Sequence, residues 1–100
     1  MTGILQDVVI LVVEHSPQRA VALVDAISQA GGDTVYATDR HDAMRRLGHF
    51  TFDAAVIDRG DNKALIDELM RLTVPIYLDD GETEPLAVVV ALGTSLSSAR

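Results

Sequence analysis

The sequence contains no cysteine and no tryptophan, and its aromatic side chains are limited to two tyrosines and two phenylalanines. The lack of cysteine excludes a disulfide framework, a thiolate nucleophile and a cysteine-based zinc centre, and is in keeping with a reducing compartment. Positive charge is also scarce. Eight lysines and arginines, with Lys63 the one lysine, face fifteen aspartates and glutamates, giving a net charge of −7 and a pI near 4.6. That balance opposes attraction to a phosphate backbone and argues against nucleic acid as a direct ligand, while it suits contact with basic patches on other proteins. Residues 1–7 carry no basic segment, and the apolar run 8–13 is too short for a signal-peptide core or a membrane span. The expectation is a cytoplasmic protein without membrane contact. No Walker-type glycine-rich loop and no nucleophile elbow is present, which weighs against an independent enzyme, even with His15 available as a base beside carboxylates.

What is present is a regular alternation. The chain has 100 residues, 48% of them hydrophobic and 23% charged, a composition that supports one folded domain over residues 1–100. Val8-Val9-Ile10-Leu11-Val12-Val13 is a continuous β-branched run, the pattern of a strand buried on both faces of a parallel sheet. Ser16 and Pro17 then start a helix with Ala20, Leu23, Val24 and Ile27 on its apolar stripe, ending at Gly31-Gly32. The unit repeats. A strand over 34–38 precedes the cap Asp39 and a helix carrying Ala43, Met44 and Leu47. A third strand ends at Asp58, and Arg59-Gly60-Asp61 supplies a turn and cap for a helix with Ala64, Leu65, Leu69 and Leu72 inward. A fourth strand covers 74–78, with Pro75 near its start.

Strands alternating with helices of this length predict βαβ units, a parallel sheet and helices on both faces. Residues 84–100 read as a helix begun by Pro85, with Leu86, Val89, Val90 and Leu96 on one side. The stretch 87–92 is also strand-like, and Asp80-Gly81 is able to turn a hairpin. Met44 and Met70 fit helix packing, and His41 and His49 read as surface residues at helix ends.

In an open parallel sheet, ligands bind beyond the carboxyl ends of the strands. Here those ends carry Glu14, His15, Asp58, Arg59, Asp79 and Asp80. Ile10-Leu11-Val12-Val13-Glu14-His15-Ser16-Pro17 resembles the first strand of the receiver domains of two-component response regulators, a strand that usually ends in two acids. Phe52-Asp53-Ala54-Ala55-Val56-Ile57-Asp58 is similar to the third receiver strand and places Asp58 at the phosphoacceptor position. Val74-Pro75-Ile76-Tyr77-Leu78 resembles the fourth.

The resemblance covers residues 8–80 and implies a flavodoxin-like α/β fold with strand order 2-1-3-4, truncated before the usual fifth strand. It also implies Glu14 and Asp58 as neighbours at one sheet edge. Its departures bear on function. A receiver holds Mg²⁺ with carboxylates. Here His15 stands at the second acidic position, and imidazole is a poor Mg²⁺ ligand, so binding is expected to be weak or absent. Asp79 or Asp80 replaces the switch hydroxyl, the usual Met-Pro loop is shortened to Arg59-Gly60-Asp61-Asn62, and Lys63 lies in the wrong segment to serve as the family's lysine.

Two readings follow. The first is a pseudo-receiver, a non-catalytic signalling module that binds protein partners, with Glu14 and His15 as a vestigial acidic site. The alternative is a working response regulator phosphorylated on Asp58 by a histidine kinase, with Arg59 supplementing the missing positive charge. Each residue also has a plain structural reading: Asp58 and Asp79-Asp80 as turn chemistry, Glu14 and His15 as loop residues. Val74 to Leu78 as an unpaired edge, together with Leu86, Val89, Val90 and Leu96, gives the expectation of a two-fold homodimer.

Overall fold

The computed structural model describes residues 4–60 and 62–98. It contains β1 (Val9–Val13), α1 (Pro17–Gln29), β2 (Asp33–Ala37), α2 (Arg40–Leu47), β3 (Ala54–Asp58), α3 (Lys63–Arg71), β4 (Ile76–Asp79) and α4 (Pro85–Ser98). The four strands are parallel and ordered β2-β1-β3-β4, the flavodoxin-like arrangement expected from the sequence. No helix among the described residues is long and apolar enough to cross a membrane.

Two apolar layers explain why β1 shows no hydrophobic alternation. Ile10 and Val12 face one layer with Leu23 and Ile27 of α1 and Val88, Val89 and Leu92 of α4. Leu11 and Val13 face the other, with Ala43 of α2, Phe52, and Leu65 and Leu69 of α3. Both faces are covered, so every position from Ile10 to Val13 is buried.

Local signals set the element ends. Ser16 caps α1 by accepting a hydrogen bond from the Arg19 N–H at 3.3 Å, and Pro17 opens the helix where its missing N–H costs nothing. Asp39 caps α2 by accepting from the Asp42 N–H at 2.9 Å. Beyond α1, Gly31 adopts φ +91°, a conformation strained for any side chain. At Gly32 a Cβ would lie 2.8 Å from Ile27 Cγ2, so the chain can enter β2 only by passing this close to the helix.

Several sequence expectations are corrected. Met44 and Met70 are 41% and 65% exposed, and Ala64 and Leu72 also face outward. The short helices α2 and α3 touch the sheet through narrow stripes, Ala43 in one and Leu65 with Leu69 in the other, leaving flanking apolar residues in solvent. Asp61 lies outside the described residues, and the N-cap position of α3 is Asn62.

The segment after β4 is a helix, not a strand, and Asp80-Gly81 turns into it without forming a hairpin. Its apolar residues do not share one side. Val88, Val89 and Leu92 are buried, and Leu96 packs against the same core, while Leu86 and Val90 are 70% and 52% exposed. Val89 and Leu96 therefore belong to the monomer's core. A helix repeating every 3.6 residues cannot hold 86, 89, 90 and 96 on a stripe that narrow while 88 and 92 also point inward.

Candidate functional site

The carboxyl ends of β1, β3 and β4 meet at one edge. Val13 pairs in register with Ile57, and Asp58 with Asp79, so Glu14, His15, Asp58 and Asp79 converge where the strands stop. Two separate polar clusters form there.

The first is built on Asp58. Its Oδ2 accepts the His15 backbone N–H at 2.8 Å and lies 2.6 Å from His15 Nδ1. An oxygen already accepting a backbone N–H at this distance serves as acceptor, so the imidazole donates from Nδ1. Asn62 occupies the other side. Its amide donates to the Asp58 carbonyl at 3.1 Å and to Oδ1 at 3.3 Å instead of capping α3. Asn62 is buried at 3% exposure, the Asp58 side chain is 15% exposed and that of His15 is 59% exposed.

The second cluster is buried. Arg19, in the first turn of α1, forms a bidentate pair with Asp79, Nε to Oδ2 at 2.9 Å and Nη2 to Oδ1 at 2.5 Å. Glu14 is 2% exposed and Asp79 is 1% exposed. Burial, the hydrogen bond to Asp79, and the nearby charges of Asp79 and Asp58 push the Glu14 carboxyl from 4.5 up to about 8, against a smaller opposing pull from Arg19. Burial also pushes Asp79 upward, but its hydrogen bonds from Arg19 and Glu14 outweigh this and hold it below its ordinary value. The pair shares its charge unequally, with Glu14 carrying the proton and Asp79 the negative charge. Glu14 Oε2 is buried without a hydrogen-bond partner, which disfavours an ionised Glu14 further. The Tyr36 hydroxyl donates to the Glu14 carbonyl at 3.0 Å and fixes the backbone where β1 ends.

Asp80 is exposed and forms a turn. It accepts from the backbone N–H groups of Glu82 and Thr83 and from the Thr83 hydroxyl, which with a small contribution from Arg59 hold it at about 2. Arg59 itself is exposed at the rim. Beside the Asp58 cluster lies a pocket of about 320 Å³ lined by His15, Asp39, Arg40, His41 and Asn62.

These residues do not suit the Mg²⁺ that a receiver-like site implies. Such an ion takes hard oxygens in octahedral array, one or two of them from ionised carboxylates. Glu14 is neutral and engaged with Asp79, Asp79 is engaged with Arg19, and Asp58 Oδ2 is engaged twice by His15. Among the described residues, no three His, Cys, Asp or Glu side chains are grouped to hold a metal.

The sequence placed Glu14, His15, Asp58, Arg59, Asp79 and Asp80 at this edge, and the structure brings Glu14 to Asp79 and His15 to Asp58. It missed Arg19, Asn62 and Tyr36. Asn62 carried a faint signal, an amide four residues after a strand-end acid. Arg19 and Tyr36 carried none, because their partners lie 60 and 22 residues away.

Neither a family model nor a curated protein matches the chain. Solved structures do. A response regulator from Thermotoga maritima superposes with a TM-score of 0.62 at 13% identity, covering 96% of this chain and 79% of that one. An uncharacterized protein from Neptuniibacter caesariensis gives 0.62 at 18% identity, covering 95% and 93%. A fusion protein carrying a trimeric coiled-coil segment of yeast Spc42 gives 0.67 at 16% identity, covering 95% and 84%. At these identities the likeness is one of fold, and the fold is the flavodoxin-like one that a response regulator shares.

Proposed function

We propose that this chain is a non-catalytic, receiver-like signalling module that works through protein contacts, with Asp58 at the phosphoacceptor position held closed. The observation that carries the reading is the state of Asp58: His15 donates to Oδ2 from both backbone and ring, and Asn62 donates to Oδ1. Charge-assisted hydrogen bonds at both oxygens stabilise the carboxylate and lower its nucleophilicity toward phosphorus. Among the described residues, Glu14 offers no ionised oxygen for Mg²⁺ because it keeps its proton up to about pH 8, and Asp79 is paired with Arg19. The acidic surface suits a basic protein partner and disfavours nucleic acid.

Incubation with acetyl phosphate and Mg²⁺, followed by intact-mass measurement, tests this. No hydroxylamine-labile phosphoryl group is expected. An acyl phosphate that forms on the wild type and is absent from Asp58→Asn would establish the alternative, a response regulator phosphorylated by a histidine kinase.

A further inference from the structure

The strand β2 is an edge of the sheet, and its outer side is unpaired. Its Asp33 N–H donates to the Val8 carbonyl at 2.8 Å, and its parallel register with β1 runs from Val9 opposite Asp33 to Val13 opposite Ala37. Backbone groups along a strand alternate in direction, so the N–H and C=O of Thr34 and Tyr36 point away from β1, where the described residues supply no partner. Asp33-Thr34-Val35-Tyr36-Ala37 contains neither proline nor lysine to blunt that edge, and threonine, valine and tyrosine favour strand pairing.

Beside the edge lies an apolar groove of about 410 Å³, formed by Pro17, Val21, Val24, Asp25 and Ser28 of α1 and by Tyr36. Along α1, positions 17, 21, 24 and 28 recur at helical spacing as a second stripe next to the buried Ala20, Leu23 and Ile27, and Val21 is 68% exposed. Tyr36 packs in the layer of Leu23 and Ile27, and Val35 in the opposite one. A strand laid along Thr34 and Tyr36 therefore sends every second side chain to the α1 face, where the groove lies. Charge selects its occupant. Among the residues lining the groove Asp25 alone is charged; its Oδ2 accepts from the Gln29 amide at 3.3 Å, and its Oδ1 has no donor among the described residues. Exposed Asp33 adds a second carboxylate at the start of the edge. A second copy on this edge would bring like charges together, whereas a cationic side chain meets a carboxylate with an open oxygen.

We propose that the β2 edge binds an extended segment of a partner protein by strand addition. The segment's backbone pairs with Thr34 and Tyr36, its apolar side chains enter the α1 groove, and a lysine or arginine reaches Asp25. The inference rests on the protein-contact part of the reading above and on nothing that concerns Asp58, since the groove and the Asp58 cluster share no residue.

The test uses a blocked synthetic peptide in which threonines alternate with arginine, valine, valine and arginine, a sequence that reads the same in both directions and so presents a cation to Asp25 in either orientation. Titration into the full chain, followed by amide NMR with hydrogen exchange, is expected to show saturable binding and at least tenfold slower exchange at Thr34 and Tyr36. Replacing the peptide's arginines by glutamates, or methylating its backbone nitrogens, is expected to abolish binding. Asp25→Lys and Val21→Asp, both at exposed positions, are expected to weaken it at least tenfold with the circular dichroism unchanged. No binding, binding that survives nitrogen methylation, or binding without protection at Thr34 and Tyr36 overturns the inference and leaves the reading of Asp58 intact. Protection of these two amides in the protein alone, rising with its concentration, assigns the edge to a second copy and also overturns it. Acyl phosphate formation on Asp58 in the separate acetyl phosphate test overturns the pseudo-receiver reading alone.

Discussion

Glu14 is a carboxylic acid in a place built for a neutral one. Its folded value of about 8 lies above the ordinary 4.5, because burial and the Asp79 charge disfavour ionisation. Below pH 4.5 both folded and unfolded chains hold this proton. Between 4.5 and about 8 only the folded chain does, so stability falls as pH rises through that window and levels off above it, with a slope of at most about 1.4 kcal/mol per pH unit. Asp79 acts in the opposite sense at lower pH, since its folded value is depressed and its stabilising pair with Arg19 is lost as the carboxylate takes up a proton. Urea unfolding from pH 4.5 to 8 should show the decline, and Glu14→Gln should flatten it. An unchanged slope in that variant would remove Glu14 as the cause. Arg19→Ala strips a buried carboxylate of its partner and should cost about 3 kcal/mol, measured by the same unfolding at pH 7.

At the scale of elements, the link between α3 and β4 carries local strain. Thr73 has φ +57°, a left-handed conformation that a β-branched residue rarely adopts. It is held there because the Thr73 and Val74 N–H groups donate to the Met70 and Leu69 carbonyls and close the end of α3. Thr73→Gly removes the clash at Cβ and should raise stability by about 0.5 kcal/mol, the relief being partly offset by glycine's greater freedom when unfolded. A lower melting temperature in this variant would show that the hydroxyl's bond to the Leu72 carbonyl matters more than the strain. The helix α4 illustrates the same dependence on context. Its composition, Leu86-Ala87-Val88-Val89-Val90-Ala91-Leu92, suits strand and helix alike. The helix is adopted where it completes the layer over α1, burying Val88, Val89 and Leu92.

For the whole molecule, β2 is one of the two edge strands of the sheet and β4 is the other. The strand pairs with β3 on one side and with no strand on the other among the described residues. Leu78 on β4 is 55% exposed, and Leu86 and Val90 lie exposed on α4, which packs against β4. A two-fold pairing across this edge remains our proposal, since it would cover both unpaired backbone groups and these side chains. Of the four residues the sequence indicated, Leu86 and Val90 are placed to test it, whereas Val89 and Leu96 belong to the core. Val89→Asp places a charge in the core and should unfold the monomer, whereas Leu86→Asp and Val90→Asp should leave the fold intact and shift the mass in multi-angle light scattering from dimer to monomer. A monomer at every concentration in the wild type would sink the dimer.

The order of elements, their parallel pairing and the strand-end acids were legible in the sequence because they rest on local periodicity and on the rule that βαβ crossovers place helices on alternate faces. The caps Ser16 and Asp39 were legible for the same reason, each acting within three residues of its own position. The partnerships at the sheet edge were not. Which of Glu14, His15, Asp58 and Asp79 pair with one another depends on the register of strands joined through whole helices. That pairing also decides which carboxyl keeps its proton and which ring nitrogen faces Asp58. Val89 buried and Val90 exposed is a decision of the same kind, since adjacent positions of identical chemistry are distinguished only by the direction in which the tertiary fold lays the helix down.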